Sequence, residues 1–246
     1  MTVAHCGSVS ALTLGLPAAT AIPEAKGSLP KAMFVGHATI SAKLSKQLKN
    51  DIAGISLLAI ARPANTQLTA GAKIPEILVI GLKLAAKVTT VPTETIELIA
   101  AQRKSGIVFA VVRGMPFEGT TREECTLAVR RALPGRAGHT PVHQVFAGEW
   151  KPAGEVTLET DGVPEGASTD DLWESICAQI ILGTPDGADL DARITRRAQI
   201  RQLEATVDKL VRDHQRAKDA DQRNEIYAQL HKAKQQLDAL VAQATA

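Results

Sequence analysis

The chain has 246 residues, 45% hydrophobic and 22% charged, the composition of a globular protein long enough to bury a substantial core with or without an appendage. A formal net charge of +2 is too small to point to nucleic acid or a membrane surface from totals alone, and an aromatic fraction of 3% is too low to build a platform for stacking single-stranded bases. Three cysteines, Cys6, Cys125 and Cys177, odd in number and without CxxC spacing, argue against a disulfide framework or a zinc site and fit a reducing compartment.

Val9 to Ile22 is mildly apolar, but no Lys or Arg precedes it and Pro17 interrupts it, so it makes a poor signal peptide. No stretch reaches the roughly 18 uncharged apolar residues of a membrane span. The expected location is cytoplasmic, with no membrane partner. Thr39 to Ile52 carries Ile40, Leu44, Leu48 and Ile52 at four-residue spacing with lysines between them, which predicts an amphipathic helix stopped by Gly54. Ile55 to Ala61 and Ile77 to Leu84 read as strands joined by a Pro/Asn/Thr/Gly-rich connection.

Thr93 to Arg103 is predicted helical, with Thr93 as N-cap and Ile96, Leu98 and Ile99 turned inward. The run "GIVFAVV" is an apolar strand, and "CTLAVRR" and "VHQVFAGEW" suggest two more. A further helix spans about Thr169 to Leu182 and ends at Gly183. The fold class expected for residues 1–185 is therefore α+β, a mixed sheet flanked by helices.

Residues 186–246 have a different period. From Asp191 to Ala217, then from Gln222 to Ala244, apolar side chains step by three and four: Leu203, Val207 and Leu210 in the first stretch, Ile226, Leu230, Leu237 and Leu240 in the second. Between them lies the polar "KDADQ". Two helices of roughly 25 residues, each about 38 Å long, with a 3.5-residue seam, predict a C-terminal antiparallel helical hairpin or coiled coil. Packing against the sheet domain and projection towards a partner are both open, and the seam could close within one chain or between two.

The stretch "IPEILVIGLKL" tests for chemistry. Metal-dependent nucleases place an acid beside a lysine on one strand face, so that both approach the same metal-bound water and phosphate. Here Gly81 shares the face of Lys83, while Glu76 points with Leu78, Ile80 and Leu82 to the other. A structural strand explains the run better, since "ILVI" is apolar on both faces.

Other motifs fall short in similar ways. "GIVFAVVRGMPFEGTT" resembles a phosphate loop but has Thr120 where lysine is needed, which favours a tight reversal between strands. His139 and His143 are separated by Pro141 and lack a third ligand; His5-Cys6 and the acids of "PDGADLD" are no stronger, with Asp189 or Asp191 placed to cap a helix. The sequence assigns no catalytic residue, metal ligand or cofactor.

The local signal that remains is basic. Arg193, Arg196, Arg197 and Arg201 form a stripe on one helix side, and Arg130, Arg131 and Arg136 form a second cluster. Such groups bind phosphates or acidic protein surfaces, or serve as a solvated face balanced by Glu204, Asp208 and Asp213.

The segments "GLPAATAIP", "SLPKAMF", "ATISAKLSKQLKNDIAGISLLAIARPANTQL", "IPEILVIGLKL", "IVFAVVRG", "GEW" and "DQRNEIYAQLHKAKQQLDAL" resemble, in sequence and order, the bacterial domain-of-unknown-function family numbered 4391. The resemblance covers nearly the whole chain. It implies a bacterial cytoplasmic protein encoded beside helicases and DNA methyltransferases in antiviral or restriction-type clusters, and it supplies no active site. Relatives tend to carry a glutamate two residues before the lysine of the "ILVIGLKL" strand, where this chain has Gly81. Together these readings lead to an expected non-enzymatic accessory subunit that binds a helicase or DNA methyltransferase through the sheet domain and the helical hairpin, with DNA or a second copy as further partners. The alternatives are a divergent metal-dependent nuclease and a DNA-binding module without chemistry.

Overall fold

The apolar runs Ile55 to Ala61, Ile77 to Leu84, "GIVFAVV" and "CTLAVRR" each lie in a strand of one sheet. In a computed structural model, residues 2–35, 40–133, 141–160, 164 and 166–245 are described, which leaves Thr39, Arg136 and His139 outside. The chain divides into two units, Met1–Ala188 and Asp189–Ala246.

The first unit opens with a small hairpin, β1 (His5–Cys6) and β2 (Val9–Ser10), then the short helices α1 (Glu24–Gly27) and α2 (Ala32–Val35). Helix α3 (Ala42–Asn50) leads into β3 (Ile52–Ala61) and β4 (Ile77–Leu84); α4 (Thr93–Ala100) then crosses to β5 (Gly106–Phe117). Strands β6 (Thr120–Leu133), β7 (Val142–Ala147) and β8 (Lys151–Pro152) follow, with α5 (Thr169–Leu182) at the end. The sheet is mixed and six-stranded, in the order β3-β4-β5-β6-β7, with β8 also paired to β6. All neighbours are antiparallel except β4 and β5, which α4 connects in parallel.

Several boundaries shift by a few residues for local reasons. Ser41 caps α3 by accepting from the Leu44 N–H, which starts the helix after Ile40, and Ile52 joins β3 rather than the helix. The cap position of α4 is Pro92, so Thr93 stands one residue inside. Helix α5 runs over the predicted residues: Ser168 and Asp171 form a reciprocal capping box, and Gly183 stops the helix at φ 78°.

Alternation assigns the two sheet faces. Leu78, Ile80, Leu82 and Phe109 pack into one core cluster with Leu48 of α3 and Ile96 and Ile99 of α4. Burying this face is a principal source of stability, at about 1.5–3 kcal/mol for each large side chain removed from water. On the opposite face, the N-terminal segment lies over β3 and β4. Its Ile22 and Leu29 N–H groups donate to the carbonyls of Leu58 and Ile55, which covers the β3 edge. The Trp173 ring of α5 lies against Gly106.

The second unit is α6 (Leu190–Arg216) and α7 (Ala220–Thr245), joined by a short reversal. They are antiparallel: Arg196, near the start of α6, donates to the carbonyl of Gln243 near the end of α7, while the rings of His214 and Tyr227 meet near the turn. Asp189 occupies the cap position of α6 in the left-handed region (φ 48°) without a side-chain capping bond, and Asp191 lies in the first turn. No helix among the described residues is long and apolar enough to cross a membrane.

Candidate functional site

Lys83 lies near the end of β4, on the face covered by the N-terminal segment. Its Nζ meets Glu123 Oε1 at 2.7 Å. Glu123 belongs to β6, two strands away, and reaches Lys83 across β5, where its register partner is Gly114. The same carboxylate accepts the Ser8 N–H at 2.7 Å, so Glu123 ties the first hairpin to the sheet. Gly7 makes the turn at φ 60°, where a side chain would be strained, and a Cβ there would stand 2.6 Å from both Glu123 oxygens and displace the carboxylate. Burial raises the affinity of Glu123 for a proton, but hydrogen bonds from Lys83 and Ser8 and the lysine charge outweigh it and hold the carboxyl below its ordinary value.

Gly81 is filled from outside. A Cβ on it would lie 2.3 Å from Cys6 Cβ and 3.0 Å from Cys6 Sγ, so the cysteine of β1 occupies the space that an acidic side chain at position 81 would need. Burial pushes the Cys6 thiol up to about 12, and burial together with Cys6 does the same to Cys125. Both therefore stay protonated at neutral pH and act as packing groups rather than nucleophiles. Glu76 accepts a hydrogen bond from the Ser105 hydroxyl, away from Lys83. Among the described residues, no group of three or more His, Cys, Asp or Glu is arranged to hold a metal ion.

The phosphate-loop-like stretch forms a strand reversal: β5 and β6 pair out to Phe117 and Thr120, and Glu118 and Gly119 turn at φ 47° and 77°. Further along the N-terminal face, a hollow of ≈ 830 Å³ is lined by Ala59, Val79 and Ile176 together with the polar Asn65, Thr66 and Gln67; the lining residues among the described ones are uncharged. β7 forms the last strand of the sheet, carries His143, and has Val142 67% exposed; among the described residues its outer edge pairs with no strand.

The two arginine groups have different roles. Arg130 and Arg131, adjacent in β6, point to opposite faces, and each meets the helix that covers its face. Arg130 pairs with Glu97 of α4 at 2.6 Å, and the Arg131 guanidinium forms two parallel bonds to Glu174 of α5 at 2.9 and 2.8 Å. The Arg131 side chain is only 9% exposed, so both arginines work inside the sheet unit. In the stripe, Arg193, Arg196 and Arg197 are half-buried and Arg201 is exposed. Arg196 is matched by the Gln243 carbonyl, a cation on an orphan acceptor at the C-terminal end of α7.

Sequence reasoning anticipated the separation of Glu76 from Lys83 but missed Glu123 and Cys6, which come from distant segments. Gly81 held the available signal, since a glycine inside a strand marks close approach of another chain segment. Searches among curated proteins and solved structures returned no match. A family model described as a domain of unknown function, DUF4391, matches residues 14–237. That match begins after the β1–β2 hairpin and spans the rest of the N-terminal cover, the whole six-stranded sheet and most of the helical hairpin, and the chain belongs to the DUF4391 family.

Proposed function

We propose that this protein is a non-catalytic accessory subunit of a bacterial antiviral defence or restriction-type system, and that it binds a helicase or DNA methyltransferase. The observation that carries the reading is the filled position over Gly81. Where a nuclease strand would project an acid beside its lysine, Cys6 packs against bare backbone and Lys83 is engaged by Glu123, which the Ser8 N–H of the N-terminal turn also holds.

The contact surface that best suits docking is the outer edge of β7. Sheet proteins blunt exposed edges with lysine, proline or bulges. β7, Val142-His143-Gln144-Val145-Phe146-Ala147, has no Lys, Arg, Asp, Glu or Pro, whereas the β3 edge is covered by the N-terminal segment. An extended segment of the partner would add a strand there, with main-chain hydrogen bonds supplying affinity and alternate side chains selectivity.

Native-level purification of the tagged chain from its host, followed by mass spectrometry, tests the reading. The wild type should recover a helicase or methyltransferase, and Val142→Lys/His143→Lys, at exposed positions of β7, should lose it while the protein stays folded. Purification without such a partner would overturn the proposal, as would Mg²⁺-dependent DNA cleavage abolished by Lys83→Met.

A further inference from the structure

The two sides of the helical hairpin differ in charge. On one side, two contiguous hollows of ≈ 510 and ≈ 450 Å³ run along the seam and share Leu203, Thr206 and Gln236. Leu210 and Leu240 continue the apolar floor, and Gln202 stands on the wall. In a two-helix coiled coil that faces water, the positions beside the seam are commonly Glu or Lys. Here they are amides and a hydroxyl in the half away from the reversal and at the shared centre; Lys209, Asp213 and Lys232 line the half towards the reversal. Arg201, Glu204 and Asp208 do not line these hollows.

The geometry points to a second copy of this chain as the occupant: two hairpins pack groove to groove, antiparallel, as a four-helix bundle. Glutamine and threonine side chains both donate and accept, so a wall built from them is complementary to itself without a counter-charge. A two-fold axis through the shared centre sets Thr206 and Gln236 against their own copies, as a symmetric interface requires. It also lays the charged end of each groove over the uncharged Gln199 and Gln202 of its mate. A parallel arrangement would bring Lys209 of each copy against Lys232 of the other, a like-charge clash. This inference is independent of the helicase or methyltransferase reading, because it concerns the purified chain alone.

Sedimentation equilibrium on the full-length protein should find a dimer. Thr206→Glu/Gln236→Glu, at two exposed positions, puts four like charges at the axis and should raise the dimer Kd by at least about tenfold with unchanged circular dichroism. Thr206→Cys should form an interchain disulfide on mild oxidation, and Gln222→Cys, beside the reversal, should not. A monomer at all concentrations overturns the proposal. So does a dimer indifferent to the glutamates, or cross-linking through position 222 but not 206.

Discussion

Phe109 in β5 and Leu210 in α6 are both large apolar side chains on regular elements, but Phe109 has no exposed surface and Leu210 is half-buried. The difference follows from architecture. A central strand is covered on both faces, by α3 and α4 on one side and by the N-terminal segment and α5 on the other, so its neighbours close around it. A helix in a pair has one seam, and of the predicted seam residues only Leu230 falls in the buried class; Leu203, Val207, Ile226, Leu237 and Leu240 are half-buried like Leu210. Sheet stability is therefore cooperative and long-range, whereas hairpin stability is the sum of local helix formation and one seam.

Truncation on each side puts the largest effect on this comparison. Phe109→Ala should cost about 3–5 kcal/mol in urea unfolding, and Leu210→Ala less than about 2 kcal/mol. Amide exchange should give the same ranking, with β4 and β5 protected through global unfolding and the ends of α6 and α7 opening earlier. Comparable losses from the two substitutions in dilute monomer would break the distinction. A Leu210→Ala penalty that grows with protein concentration would instead sharpen it, because a second hairpin would then be supplying the missing burial.

The same distinction governs what can be read from sequence. Period and punctuation locate Ile77–Leu84, Thr169–Leu182 and both long helices within about two residues, because local propensity and burial agree there. The four-residue spacing of Ile52 from Leu48 mimics helical periodicity, whereas its side chain enters the sheet core as the first residue of β3. Arg130 and Arg131 read as one basic patch, but strand alternation sends each arginine to a different carboxylate, 33 and 43 residues away. Glu123 and Cys6 are invisible for a related reason: their partners Lys83 and Gly81 are 40 and 75 positions away, and no local pattern encodes such a meeting.

Adding a single methyl group tests the N-terminal cover. Gly81→Ala places a Cβ 2.3 Å from that of Cys6, so the hairpin or β4 must move; overpacking of this kind costs about 1–3 kcal/mol. Cys6→Gly alone removes a small buried side chain. Combining it with Gly81→Ala should recover part of the loss, because the added methyl then occupies the vacated space. A double-mutant cycle measured by thermal or urea unfolding reads the coupling directly. Additive losses would mean that the segment from β1 to β2 does not sit over Gly81 in solution.

The smallest effect concerns the polar end of the same cover. Glu123 has a depressed carboxyl pKa in the folded chain, so it contributes stability that is fully present above the ordinary glutamate value of about 4.3 and is lost as pH falls through the lower, folded value. Glu123→Gln should therefore cost no more than about 1 kcal/mol at pH 7, a modest figure because Lys83 is 44% exposed and solvent screens the pair. That penalty should shrink as pH falls below about 4.3 and the wild-type carboxylate protonates. Lys83→Met leaves the Ser8 N–H bond to Glu123 in place, so it should remove part of the acid sensitivity, and the difference between the two variants measures how far the carboxylate serves the first hairpin rather than the lysine. A Glu123→Gln penalty that stays constant from pH 7 to pH 3 would place the contribution in the shape of the side chain and not in its charge, leaving Gly7 and Cys6 to hold the cover.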